Sequence, residues 1–335
     1  MRAMLILAAL ALAQSAPQPG PMQTFGDWVV ACDNGKRCEM TSLLPEADIG
    51  AEGDWQISVV REAGPTGLWS VELMGEVKPG IRLSIAGSDA ASASAVWRGT
   101  EFSGGQALAI VRAMVNGRIA QLHDARGTLI GRVSLTGSSA SLRFIDAQQG
   151  RAETVTAAVA TGARPASAVP AAPAIPVIAS VRPRGAAVLS PATLKQLWAE
   201  SDCGENYDGD GLPSVERHAL GDGATLALVP CGAGAYNYSS VPYVVRGGKA
   251  VLAEFDSPPG WGGDDGPPML VNAGFDPTTG ELGSYAKGRG IGDCGSSETY
   301  VWDGKRFRLV GARAMGECRG STNWLTVWRA RAVPR

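Results

Sequence analysis

Two histidines in 335 residues leave little scope for imidazole chemistry. No G-x-S-x-G elbow and no H-E-x-x-H pair occurs, so neither the α/β-hydrolase nor the zincin arrangement is written in the chain. No C-x-x-C occurs either, which leaves a thioredoxin-like or zinc-knuckle reading without support. Charge is sparse, at 19% of residues, with a formal balance of −2 and no long run of one sign. A nucleic-acid binder needs a basic stripe against phosphate, and that class is set aside. Beyond the N-terminus no apolar run approaches the ~20 residues of a membrane-spanning helix.

What is present begins with MRAMLILAALALAQSAPQPG. Arg2 is a short positive region, Met4 to Leu12 an apolar one, and Ala11-Leu12-Ala13 an A-x-A cleavage site. Together they read as a secretory signal peptide over residues 1–13. An N-terminal anchor is the rival, but the apolar run is about half the length a span needs. The expected location is periplasmic or secreted, with no transmembrane segment in the mature chain. Six cysteines follow: Cys32, Cys38, Cys203, Cys231, Cys294 and Cys318. An even count in an exported chain reads as disulfides. Cys32–Cys38 is the pair the first half dictates, because it offers no other partner. Cys203–Cys231 and Cys294–Cys318 are suggested by proximity alone, and the other pairings of those four stay open.

Composition divides the chain into three. Residues 22–162 alternate apolar and polar in short runs, such as WQISVVR at 55–61, broken by turn signals such as Asp33-Asn34-Gly35-Lys36. Two stretches have helical spacing: 106–115, with Leu108, Val111 and Val115 on one side, and 138–149, with a serine cap and Leu142 and Ile145 inward. Residues 163–187 form a Pro/Ala-rich linker, with Pro165, Pro170, Pro173, Pro176 and Pro183. No acid lies between 154 and 199, and its few cations are too scattered for a polybasic membrane patch. A stiff tether is the plain reading. Residues 188–333 open with a helix capped by Ser190, with Pro191 at its first position and Leu194, Leu197 and Trp198 inward. Hairpin-like pairs about 221–223, 247–248, 277–280 and 303–304 follow. The expected fold is mainly β (α+β). It comprises an N-terminal β-sandwich-like domain with two short helices, then an antiparallel β-meander domain opened by one helix.

The densest chemistry lies in KGRGIGDCG at 287–295. Gly290 to Gly295 fits G-x-G-x-x-G, but a dinucleotide site needs a helix after it, and 296–302 reads as a strand. No cofactor is expected. Lys287 and Arg289 beside glycine amides could form an anion nest; the plainer reading is a crowded turn in which Asp293 pairs with Arg289. Asn206, Asp208, Asp210 and Gly211 start like a calcium loop, but Arg217 stands where the bidentate glutamate belongs, and no metal site is expected. Glu216 and His218 share one strand face, and a Glu–His pair can move a proton; more often it is an ordinary strand pair. Glu205, Asp208, Asp264 and Asp265 could supply paired carboxylates at a separation the sequence does not fix.

Several stretches carry a resemblance: VPCGAGAYN (229–237), KGRGIGDCG (287–295), YVWDGKRF (300–307) and SLTGSSASLRFIDAQQGR (134–151). They resemble the bacterial envelope family known as domain-of-unknown-function family 1176. The opening FGDWVVACDNGKRCEM also resembles the invasion-associated locus B family of secreted proteins, over the first domain only. The resemblances imply an exported, disulfide-bonded, two-part protein of the Gram-negative envelope, and supply no activity or ligand.

The expectation is therefore a non-catalytic binding module for an envelope ligand or protein partner. Its candidate contact residues are Lys287, Arg289, Asn237, Tyr236 and Trp261, with Tyr238 beside them. One rival is a periplasmic hydrolase of a glycan or peptide, using Glu216 and His218 or the Asp264/Asp265 loop. The other is a structural stabiliser of another envelope protein.

Overall fold

A computed structural model of the chain describes residues 16–49, 55–76, 79–86, 95–207, 211–260 and 266–335. The leader expected over 1–13 lies outside the described residues, as do Asp208, Asp210, Trp261, Asp264 and Asp265. In chain order the first half holds strands β1 (Met22–Phe25), β2 (Trp28–Cys32), β3 (Cys38–Ser42), β4 (Trp55–Arg61), β5 (Trp69–Gly75), β6 (Arg82–Ile85), β7 (Ala95–Arg98) and β8 (Glu101–Ser103). Helix α1 (Gly104–Asn116), β9 (Ile119–His123), β10 (Leu129–Ser134) and α2 (Ser138–Gln148) complete it. Then come β11 (Val177–Ser180), α3 (Pro191–Ser201), β12 (Glu216–Gly221), β13 (Ala224–Ala233), β14 (Tyr238–Arg246), β15 (Lys249–Leu252) and β16 (Leu270–Val271). The last are β17 (Gly274–Asp276), β18 (Glu281–Lys287), β19 (Gly295–Trp302), β20 (Phe307–Met315), β21 (Leu325–Arg329) and β22 (Arg331–Pro334). The described chain is mainly β, with three α-helices and several antiparallel sheets, none closed.

A six-stranded sheet runs β1-β2-β3-β4-β5-β8, and a four-stranded one β10-β9-β6-β7. The first core lies against them and is closed by α1 and α2. Strand β5 shows the alternation that drives this: Trp69, Val71 and Leu73 are buried, Ser70 and Glu72 exposed. Helix α1 buries Ala107, Ile110, Val111 and Met114. Leu108 and Val115, expected inward, pack at the edge of the core instead, because the face that α1 turns to the sheet is the one carrying Ala107, Ile110, Val111 and Met114. The start of α2 also differs from expectation. Its cap is Gly137 at φ 93°, where a Cβ would lie 1.7 Å from the Phe25 carbonyl oxygen. Ser138 instead donates its hydroxyl to the Met114 carbonyl at 3.0 Å, tying α2 to α1.

The second half has two five-stranded sheets: β12-β13-β14-β15, with β16 also on β14, and β17-β18-β19-β20-β21. Helix α3 starts as expected. Ser190 accepts from the Thr193 amide at 3.1 Å, and Pro191 is its first residue. Strand β13 is buried on both faces. Leu226 and Leu228 face the core shared with β19 and β20, while Ala227 and Val229 face the cluster under α3 with Leu197.

The two halves are joined by more than chain. Strand β2 is also buried on both faces. Trp28, Val30 and Cys32 belong to the first core, whereas Val29 and Ala31 pack with Leu282, Tyr300 and Leu325 of the second half. Residues 317–329 lie along this surface. The Arg319 guanidinium donates to the Gly26 and Leu44 carbonyls and to Asp27. Arg329 pairs with the buried Asp33, and the Asn34 side chain and the Arg329 backbone exchange bonds of 2.8 and 2.9 Å. Asn323 reaches Ser58 at 3.0 Å, and the Thr326 amide reaches Glu39 at 2.9 Å. The Pro/Ala stretch is likewise held. Val169 and Ile178 are buried, and β11 pairs in parallel with β22, the one parallel ladder among the described sheets.

A substitution at Val29 therefore has a remote readout. Val29→Ala is expected to cost about 1–3 kcal/mol in urea unfolding, as a lost core methyl pair does. Amide exchange should quicken in β19 to β21, although the change lies in the first half. Protection unchanged there would show that the shared core does not couple the halves.

Candidate functional site

The cysteines pair as Cys32–Cys38, Cys203–Cys231 and Cys294–Cys318, with none left free; the first is the pair the first half dictated, and the other two are those that proximity suggested. Cys32 and Cys38 stand opposite each other in the β2–β3 ladder. Cys203, two residues after α3, is tied to β13 through Cys231.

The loop 287–295 joins β18 to β19 and is folded on itself. Lys287 pairs with Gly295 in the ladder, and the Gly288 amide donates to the Cys294 carbonyl at 2.7 Å. Two glycines are required by close approach. A Cβ at Gly288 would lie 2.7 Å from the Cys294 sulfur, and one at Gly295, 2.0 Å from the Ala286 carbonyl oxygen. Arg289 Nε donates to Asp293 Oδ1 at 2.6 Å, with a second bond from its terminal nitrogen. Asp293 is fully buried and also accepts from the Gly320 amide at 2.7 Å. Burial by itself would push this carboxyl up. The bonds from Arg289 and Gly320 and the guanidinium charge outweigh it and hold the group below the ordinary carboxylate range. Asp293 thus links the loop to the segment that docks on the first half. It favours the crowded-turn reading of Arg289, whose charge is matched within the loop.

Three of the other contact candidates do converge. Asn237 accepts from the Lys287 amide at 3.2 Å and donates to its carbonyl at 2.8 Å. The Tyr236 hydroxyl donates to the Gly288 carbonyl at 3.0 Å, and the Lys287 ammonium lies 5.7 Å from the Tyr236 ring centre. Lys287 has no acidic partner among the described residues. Trp261 lies outside the described residues.

Sequence reasoning missed the residue that organises this face. Asn272 sits in the left-handed region at φ 44°. Its side-chain nitrogen donates to the Tyr285 carbonyl and to Asn237 Oδ1, both at 2.8 Å. Its oxygen accepts from the Tyr238 amide at 3.2 Å. One amide thereby fixes β14, β18 and the 236–237 turn. The signal available was an asparagine between two short apolar runs, the residue that best tolerates left-handed backbone after glycine. Tyr285 stacks on Trp324 at 4.6 Å, and Trp324 Nε1 donates to the Gly292 carbonyl at 3.1 Å. What reaches solvent is Tyr236, Tyr238, Tyr285 and, at 68% exposure, Ile291.

The acid–base candidates are placed elsewhere. His218 Nε2 and Glu216 Oε1 are 2.7 Å apart on β12, an edge strand, and the imidazole packs at a tilt against Phe275, 4.8 Å between ring centres. No hydroxyl nucleophile or third orienting group bonds to either side chain among the described residues. Glu298 on β19 is the carboxyl that burial pushes up, against bonds from Ser296 and the Gly260 backbone. It is 9% exposed, sealed beside Tyr300. Asp256 is matched by Arg308 at 2.6 Å. Asn206 faces the Cys231 carbonyl at 3.5 Å, while Asp208 and Asp210 of the calcium-like loop lie outside the described residues.

Fold and site thus define a disulfide-bonded, mainly β protein in which Tyr236, Asn237 and Lys287 lie together. The family model described as "Protein of unknown function (DUF1176)" matches residues 22–331. The chain is 31% identical over 337 residues to the uncharacterized protein YpfG of Escherichia coli (strain K12), covering 92% of this chain and 93% of that one. The chain belongs to this family. No solved structure matches it. Three disulfides fit an exported protein, and among the described residues no helix is long and apolar enough to cross a membrane.

The Asp293 pair is open to titration. Its folded pKa is depressed, so its stabilising share is complete above the unfolded value near ~4 and is lost as pH falls through the folded one. Asp293→Asn should cost roughly 2–4 kcal/mol at pH 7, because it leaves Arg289 and the Gly320 amide without the charge they face. The gap between variant and wild-type unfolding midpoints should narrow below about pH 4. A gap constant from pH 7 to 3 would remove the carboxylate from this account.

Proposed function

We propose that this protein is an exported, non-catalytic binding module of the bacterial envelope, which captures a protein partner on the face around Tyr236, Asn237 and Lys287. Within this reading the stretches 22–162 and 188–333 are two β-rich units, and the second carries the contact face. The observation that carries it is an exposed aromatic surface held rigid from below. Tyr236, Tyr238, Tyr285 and Ile291 reach solvent, while Asn237 and Asn272 lock the backbone beneath them. Tyrosines bring large contact area with few rotatable bonds, so little entropy is lost on contact. Lys287, without an acidic neighbour among the described residues, adds a charge for an acid on the partner. The hydrolase reading finds less support among the described residues, since Glu216 and His218 stand on an edge strand and Glu298 is buried.

Site-specific crosslinking in intact cells tests this. A photoreactive residue at position 291 should give a discrete protein adduct, and Lys287→Glu should reduce its yield at least tenfold. The same probe at the exposed Val188 serves as control and should give none. No adduct from position 291, or one that Lys287→Glu leaves unchanged, would overturn the proposal.

A further inference from the structure

The first half contains a second feature, unrelated to the Tyr236 face. Arg61 ends β4 and stands directly across from Trp69, which begins β5. The guanidinium carbon lies 4.7 Å from the Trp69 ring centre. Arg61 is 6% exposed and Trp69 is 2% exposed. Arg61 Nε and Trp69 Nε1 are both buried without a hydrogen-bond partner, and Arg61 forms no ion pair among the described residues. Other buried arginines differ. Arg151 donates to Gln149, Thr156 and the Glu62 and Gly64 carbonyls, and Arg319 to two carbonyls and Asp27. The buried carboxylate nearest in influence, Asp146, accepts from the amides of Ala158, Val159 and Ala160. Burial first, then the charge of Arg151, pushes Arg61 down to about 10 against the pull of Asp146. A buried guanidinium N–H without an acceptor is costly, and proteins leave few such groups unexplained.

Arg61 and Trp69 line a cleft of about 360 Å³, together with Leu68, Leu108, Arg112 and Val155. Its wall includes Gly104 and Gly105, the first two residues of the 13-residue helix α1. The β5–β8 ladder puts them there, since Ser70 pairs with Ser103 immediately before the helix. The Ser103 side chain makes no capping bond, and the first turn holds no acid. A Cβ at Gly104 or Gly105 would meet nothing within 4 Å, so the wall of the cleft is open beside the first turn of α1. Leu68 and Val155 are exposed at the rim, apolar groups with nothing described on top of them. Two donor groups therefore border an apolar cleft: a guanidinium with no ion pair among the described residues and the uncapped start of a helix.

We propose that this cleft binds a small acid with an apolar body. Its carboxylate or phosphate is held by Arg61 and the first amides of α1, and its hydrocarbon lies on Trp69, Leu68, Leu108 and Val155. The volume fits a compact ligand or the first segment of an acyl chain. A free fatty acid and an anionic phospholipid share this chemistry.

Titration calorimetry of the disulfide-bonded chain with octanoate and with octanol tests it. Octanoate should bind saturably, at least tenfold more tightly than octanol, and Arg61→Gln should abolish that preference. A second variant guards against misfolding. Gly105→Asp places a carboxylate at the second position of α1, where the space is open and the helix favours an anion. It should raise the unfolding temperature and weaken octanoate at least tenfold. Displacement of octanoate by vesicles containing phosphatidylglycerol would assign the acid to a bilayer lipid, and failure to displace it would assign it to free acids; both uphold the cleft. Equal binding of octanol and octanoate, no saturable binding, or octanoate binding unaltered in both variants would overturn the proposal.

Discussion

A five-residue strand buried on both faces constrains everything around it. Every side chain of β2, from Trp28 to Cys32, is shut off from water. One face belongs to the first core and the other to the core completed by the last third of the chain. A strand in that position must be apolar throughout, and WVVAC is. Its ends must then return the chain to polar surroundings without stranding a charge. Asp33 does this by accepting from the Gly35 and Arg37 amides and pairing with Arg329. The β2–β3 turn is thus anchored at once by its own backbone, by a disulfide and by the far end of the sequence.

The same economy explains the loop 287–295. Its basic residues and glycines look like ligand chemistry, but the glycines answer to backbone approach and Arg289 to a buried aspartate. Asp293 is bonded on one side to the loop and on the other to Gly320, whose neighbour Arg319 grips Gly26, Asp27 and Leu44. A patch of the second half is thereby wired into the first by one carboxylate and one guanidinium. Tyr236, Asn237 and Lys287 ride on that frame.

Much of this was legible in the residues, and what was not has physical reasons. Local rules found the helices and most hairpins, because a helix cap such as Ser190 or a turn such as 247–248 is decided within a few positions. The strands β1, β7 and β8 passed unseen; three or four residues carry too little alternation to register. The parallel ladder of β11 with β22 joins positions more than 150 residues apart, and nothing in either run names its partner. Rotation of α1 so that Ala107 rather than Leu108 is buried was decided by the sheet beneath it. Asn272 was missed because its role lies in two segments it bridges, 237–238 and Tyr285, both remote from it in sequence. Arg61 gave no sign either, since an unmatched charge can be recognised only after its neighbours are known.

The disulfides and the shared core place opposite demands on the order of assembly. The three bridges span 6, 28 and 24 positions, and none interleaves with another. Each can close within its own stretch as the chain enters an oxidising space, with no wrong partner nearby. The outer face of β2 has no such independence. Val29 and Ala31 remain bare until Leu325 and its neighbours arrive, nearly 300 residues later. Such distant contacts form slowly and leave apolar surface open to wrong associations. Oxidation needs only local contacts and the burial of this face needs distant ones, so a chain oxidised before its last third had docked would keep a greasy strand on view. A holdase waiting at that stage would find one well-defined thing to cover.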